Sequence, residues 1–290
     1  MEAIEITDPL FREAVTAIDT GNVTALENLL AQHPELVTRR LDKPEQGYFQ
    51  RPFLLWFIAD NPIRNGRVPS NITDITQVLI AAIQKHAPDT LSMQLTEALG
   101  LVVTGSSTRG SGVQIALIDQ LIAAGATPNG VLSALAHNNT AAAQQLLERG
   151  VPLTLPAAVG LQLTDSVNQL LPTASKEDRQ LALVLAAFYG NATFLSLLIS
   201  PDIDINATPD TATGFHRHAT ALHQAVSAAC PECVQLLLAA GADTGIKDHI
   251  YRGTPLDWAE HLLTADDYPA DAKERLAQIA GYLRNKYSTC

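Results

Sequence analysis

The segment from Thr220 to Asp248, TALHQAVSAACPECVQLLLAAGADTGIKD, constrains the fold more than any other part of the chain. A short helix opens at Thr220-Ala221-Leu222-His223, a second carries Val234, Leu236, Leu237 and Leu238, and Gly241-Ala242-Asp243 stops it. The same order begins again at once with Gly253-Thr254-Pro255-Leu256-Asp257-Trp258-Ala259. Two helices this short cannot bury their own apolar stripes, so each unit needs neighbours stacked on both sides. A stacked array has no single globular core, and the length of 290 residues therefore sets no domain count.

This unit resembles the ankyrin repeat, with its T-P-L-H-x-A opening, leucine-rich second helix and G-A-D close. The resemblance implies an all-α fold, an α-solenoid of stacked helix-turn-helix units with about eight helix pairs. It gives one repeat domain over residues 1–290. Residues 1–45 form its N-terminal repeat, 46–90 a second repeat with an inserted loop, 91–200 shortened helix pairs, and 201–290 regular repeats with a C-terminal cap. Composition agrees: the chain is 47% hydrophobic but only 5% aromatic, so its interior is made of Ala, Leu, Ile and Val, which suits closely packed short helices rather than disorder.

From the N-terminus, Asp8-Pro9 starts a helix, Gly21-Asn22 turns the chain, Val23 to Leu30 forms the second helix, and His33-Pro34 ends it. Arg51-Pro52-Phe53-Leu54-Leu55-Trp56 takes the T-P-L-H position. The run 61–71 is too rich in Pro, Gly and Asn for a helix, which makes it an inserted loop before a helix over 73–86. Residues 91–103 and 113–124 pair next across 105–112, a polar connector expected to be flexible. That connector has phosphate-loop glycine spacing but lacks the lysine and any preceding strand, so it reads as a linker. The leucine pairs beginning at 121, 146, 170 and 197 are separated by 25, 24 and 27 residues, short of the ~33 of the family. Such steps fit two helices of about two turns each without a projecting hairpin. Asp204-Ile205-Asn206-Ala207 resumes the loop signature, and 254–264 with the polar 271–286 helix closes the array as a cap.

The formal charge is −11, with an isoelectric point near 5.1. That disfavours nucleic acid and anionic membrane and suits a basic or neutral protein partner. Cys230, Cys233 and Cys290 give an odd thiol count and no disulfide framework, as in a reducing compartment. The first residues are acidic rather than basic, unlike a secretory signal, and no run of ~18 apolar residues is present. A cytoplasmic monomer without cofactor or metal is the expectation, and secretion that leaves no N-terminal mark is compatible with it.

Thr220 and His223 carry the structural hydrogen bonds that the resemblance implies at these positions. Cys230 and Cys233 form a C-x-x-C across an inter-helix turn, with Cys233 on the leucine stripe, and read as packing residues. His216, Arg217 and His218 precede one unit's first helix, and His249, Tyr251 and Arg252 take the same place one unit later. Adjacent units should join them into one patch of the residue types that anchor interfaces. Arg39, Arg40, Lys43, Arg51, Arg64 and Arg67 form a local cationic group among Tyr48, Phe49, Phe53 and Trp56, suited to an acidic or phosphorylated partner, with Arg64 and Arg67 on a mobile insert. The expected partner-contacting residues are therefore His216, Arg217, His218, His249, Tyr251, Arg252, Tyr48, Arg51, Arg64 and Arg67. No nucleophile, base or metal-ligand constellation is recognisable, which leaves catalytic residues unassigned and points to a non-catalytic protein–protein interaction module working through a concave face and loop edge. Two other readings stand beside it: a metal- or small-molecule-binding regulator built on His216, His218 and His249, and an acidic immunity or inhibitor protein directed against a basic toxin or effector.

Overall fold

Several helices carry a start signal in a side chain. Asp8 accepts from Phe11 N–H at 3.0 Å, Asn22 from Ala25 N–H at 3.0 Å, Ser175 from Asp178 N–H at 3.0 Å and Asn191 from Phe194 N–H at 3.0 Å. Thr254 and Asp257 form a reciprocal capping box. Each such cap satisfies a donor that the first turn of the helix would otherwise leave open, and contributes about 0.5–2 kcal/mol. The computed structural model describes residues 6–42, 51–61, 63–209, 215–266 and 268–287, and among them there is helix and turn but no strand.

The chain divides into two compact units, residues 1–151 and 152–290. The first contains α1 (Pro9–Thr20), α2 (Val23–Gln32), α3 (Glu35–Thr38), a 3-10 turn over Leu54–Ala59, and α4 (Ile72–His86). After these come α5 (Leu91–Thr104), α6 (Ser106–Gly110), α7 (Gln114–Ala123), α8 (Val131–Ala136) and α9 (Thr140–Glu148). Two layers result. α1, the 54–59 turn, α5 and α8 touch in succession, and α2, α4, α7 and α9 do so behind them.

The second unit repeats the plan with α10 (Leu155–Gly160), α11 (Thr164–Leu170), α12 (Lys176–Phe188), α13 (Ala192–Leu198), α14 (Ala221–Ser227), α15 (Pro231–Ala239), α16 (Pro255–Thr264) and α17 (Ala270–Tyr287). α10, α12, α14 and α16 stack as one layer, while α15 packs between α13 and α17 in the other. A first-layer helix has neighbours on both sides and its own partner behind it. Every residue of α14 from Ala221 to Val226 is accordingly buried, as is α12 from Leu181 to Ala187. α17 is polar on one side only, and its Leu276, Ile279 and Leu283 close the stack against α15 and α16.

The sequence reading differs from this in three places. His33-Pro34 ends α2, but the short helix α3 follows directly. The apolar run 54–59 is a 3-10 turn, and it stops at Asp60 in a left-handed conformation (φ 51°). The 105–112 segment is not a flexible linker: it contains α6, where Ser107 and Thr108 are buried and Ser107 Oγ donates to Asp60 at 2.9 Å. Gly21, at φ 67°, passes so close to Asn71 that a β-carbon would collide with it, and its carbonyl accepts from Asn71 Nδ2 at 2.9 Å. That contact ties the first turn to the start of α4. No helix among the described residues is long and apolar enough to cross a membrane.

Candidate functional site

In the second unit, the loops that precede α14 and α16 lie side by side. His249 N–H donates to the His218 carbonyl at 2.8 Å, joining them through the main chain. Thr220 donates its hydroxyl to His223 Nδ1 at 2.8 Å, and His223 Nε2 donates to the Gly253 carbonyl at 3.1 Å. The carbonyl fixes the tautomer with the proton on Nε2. Burial lowers the His223 pKa, so the ring works as a neutral brace between loops. This is the structural role expected for Thr220 and His223.

Asp248 organises the α16 loop from inside. Its carboxylate is about 1% exposed and accepts from the main-chain N–H groups of Ile250 (2.9 Å), Tyr251 (2.7 Å) and Gly253 (2.9 Å), and from Trp258 Nε1 (3.0 Å). Burial alone would raise its pKa, but these donors outweigh it and hold the group at about 2. Sequence reasoning missed Asp248. Its only outward sign was an acid placed five residues before the Gly253-Thr254-Pro255 opening.

Above this frame the rings form a continuous ridge. Phe188 of α12 packs on Phe215 and His216 at 5.3 and 4.8 Å between centroids, His216 meets His218 at 5.8 Å, and His218 meets Tyr251 and Trp258 at 6.2 and 6.1 Å. Phe188 and Trp258 were not foreseen, because each lies on a helix rather than in the loop motif. His216 and His218 are half-buried in the ridge, and burial lowers the His218 pKa. Arg217, His249 and Arg252 are exposed, with Ile250 at 61% and Tyr251 at 74%. The six C-terminal candidates thus divide into two ridge histidines and four exposed side chains. Among the described residues no group of three or more His, Cys, Asp or Glu is placed to hold a metal ion.

Of the N-terminal candidates among the described residues, Arg51 and Arg67 are exposed and Arg64 is not. Arg64 is about 9% exposed, forks onto Asp19 at 2.6 and 3.0 Å and donates to the Phe57 carbonyl at 3.1 Å, so it pins the insert to α1. Arg40 lies over the Phe53 ring and forks onto Glu97 at 2.8 and 3.1 Å, and the same carboxylate accepts from Trp56 Nε1. Arg39 pairs with Asp8 at 2.6 Å. Arg51 is exposed beside Asp42 at 3.3 Å, and Arg67 is exposed. Tyr48, with Lys43 and Phe49, lies outside the described residues. Arg39, Arg40 and Arg64 are already matched by acids 31, 57 and 45 residues away in the sequence.

A family model described as ankyrin repeats matches residues 111–248 in three copies. Residues 111–248 are ankyrin repeats. Among solved structures, the chain is similar to the human ASB11 ankyrin repeat domain, with 16% identity, 94% of this chain and 97% of that one covered, and a TM-score of 0.33. It is also similar to the ankyrin repeat domain of Bcl-3, a member of the IkappaB protein family, with 17% identity, 95% and 100% coverage, and a TM-score of 0.31. No curated protein matches the chain. Ankyrin repeats are in general protein-binding modules and typically non-catalytic. The Thr220–His223–Gly253 brace and the Asp248 loop hold a fixed scaffold under side chains that reach solvent.

Proposed function

We propose that the protein is a non-catalytic binding module that holds another protein on the loop edge of its second unit. One observation carries the reading: Tyr251 and Ile250 stand exposed over the ridge of rings from Phe188 to Trp258, flanked by exposed Arg217 and Arg252. A large aromatic side chain on a fixed backbone loses little freedom on binding, and Tyr and Arg are among the residues that most often anchor interfaces. The Asp248 carboxylate is turned inward onto the N–H groups of its loop, while Arg217 and Arg252 reach solvent on a chain of net charge −11. A partner surface with an apolar side chain beside carboxylates fits it best.

The test is affinity capture from the native host with the wild-type chain and with a triple variant, Arg217→Ala, Tyr251→Ala and Arg252→Ala. The captured protein is then identified and its affinity measured. The variant should weaken binding by at least about tenfold for each anchor that contributes. Equal capture by both chains would remove this edge as the binding surface.

A further inference from the structure

The binding reading leaves Cys230 and Cys233 unused. Cys230 is the N-cap of α15, Pro231 follows it, and Cys233 lies one turn along. Their sulfurs are in contact at 2.6 Å. An i,i+3 pair inside a helix keeps its β-carbons about 5–6 Å apart, wider than a disulfide accepts. The cap removes that limit, because Cys230 has left helical geometry (φ −107°, ψ 93°) and can turn its sulfur toward its partner. Cys233 is fully enclosed, whereas Cys230 is about 9% exposed where the turn meets the Gly190 carbonyl, 3.5 Å from its sulfur.

We propose that Cys230-Pro231-Glu232-Cys233 is a reversible dithiol–disulfide site, with Cys230 the attacking sulfur and Cys233 the resolving one, that exchanges with a low-molecular-weight disulfide such as oxidised glutathione. The Cys233 main-chain N–H donates to the Cys230 sulfur at 3.2 Å, and the Cys233 sulfur lies against it. They draw its pKa below the usual thiol value, to about 7, although the Glu232 carboxylate opposes them. The neighbouring sulfur and burial push Cys233 up. In the first step the Cys230 thiolate attacks one sulfur of the small disulfide, and one glutathione leaves and takes up the proton that Cys230 gave up. In the second, Cys233 gives up its proton and attacks the Cys230 sulfur, closing the ring and expelling the second glutathione, which is protonated in turn. Two protein thiols are oxidised and one disulfide is reduced to two thiols, so protons and electrons balance.

The experiment uses the full chain with Cys290→Ser, which leaves these two thiols alone. It is equilibrated in mixtures of reduced and oxidised glutathione, trapped by alkylation and weighed intact. Both thiols should disappear together along one two-electron curve, with the loss of two hydrogens. Adding Cys233→Ser should instead trap glutathione on Cys230, and adding Cys230→Ser should leave Cys233 unmodified. Two free thiols at every ratio, or readier uptake of glutathione by Cys233 than by Cys230, would overturn the proposal. Should either single-cysteine variant fail to fold, the curve of the two-thiol chain decides alone.

Discussion

Asp248 and Asp60 share a task. Each is about 1% exposed, and each grips main-chain N–H groups of the loop that follows it: Ile250, Tyr251 and Gly253 for Asp248, and Arg64, Asn65 and Gly66 for Asp60. In sequence both look like ordinary surface acids, because what buries them lies in loops whose folding they direct. Replacing Asp248 with Asn keeps the shape but turns an amide NH2 toward N–H donors. The variant should lose about 1–3 kcal/mol in urea denaturation at pH 7. The native pKa of about 2 lies below the ordinary value of 3.8, so the carboxylate's stabilisation is complete above about 4 and is lost as pH falls through about 2. The gap between wild type and variant should close over that window. A gap unchanged at pH 2, or none at pH 7, would deny Asp248 this role.

At the scale of elements, α15 shows why single helices here have no independent stability. It lies against α14, between α13 and α17, and Leu237 at its centre is fully enclosed. Leu237→Ala should cost about 2–5 kcal/mol in urea unfolding. A change within ~0.5 kcal/mol would mean that Leu237 does not face the layer interior. The helix pairs were legible because leucine pairs, Gly and Asn turns, and capping residues all sit within one unit; α8 and α10 are six residues each and pair with α9 and α11. What escaped depends on distant partners. α6 reads as a polar spacer because the acceptor for its Ser107 hydroxyl, Asp60, lies 47 residues earlier. Arg64 reads as a mobile cation because Asp19, 45 residues earlier, fixes it. The loop motif gave the histidine and arginine rim, but the ridge beneath it needed Phe188 and Trp258 from helices.

For the molecule as a whole, a net charge of −11 sets which partners arrive first. In fluorescence anisotropy at low salt, a labelled duplex DNA should give no binding curve, while a short lysine-rich peptide should bind weakly and lose affinity as salt rises. Micromolar DNA binding at physiological salt would show that local cations, not the total charge, govern long-range approach. The Asp248 loop has one more consequence. Its carboxylate clasps the peptide groups of Ile250 and Tyr251 and leaves their side chains out of the bargain. Those two positions can therefore change identity while the loop keeps its form, so new specificities could be selected there, in evolution or in a library, without refolding the repeat beneath them.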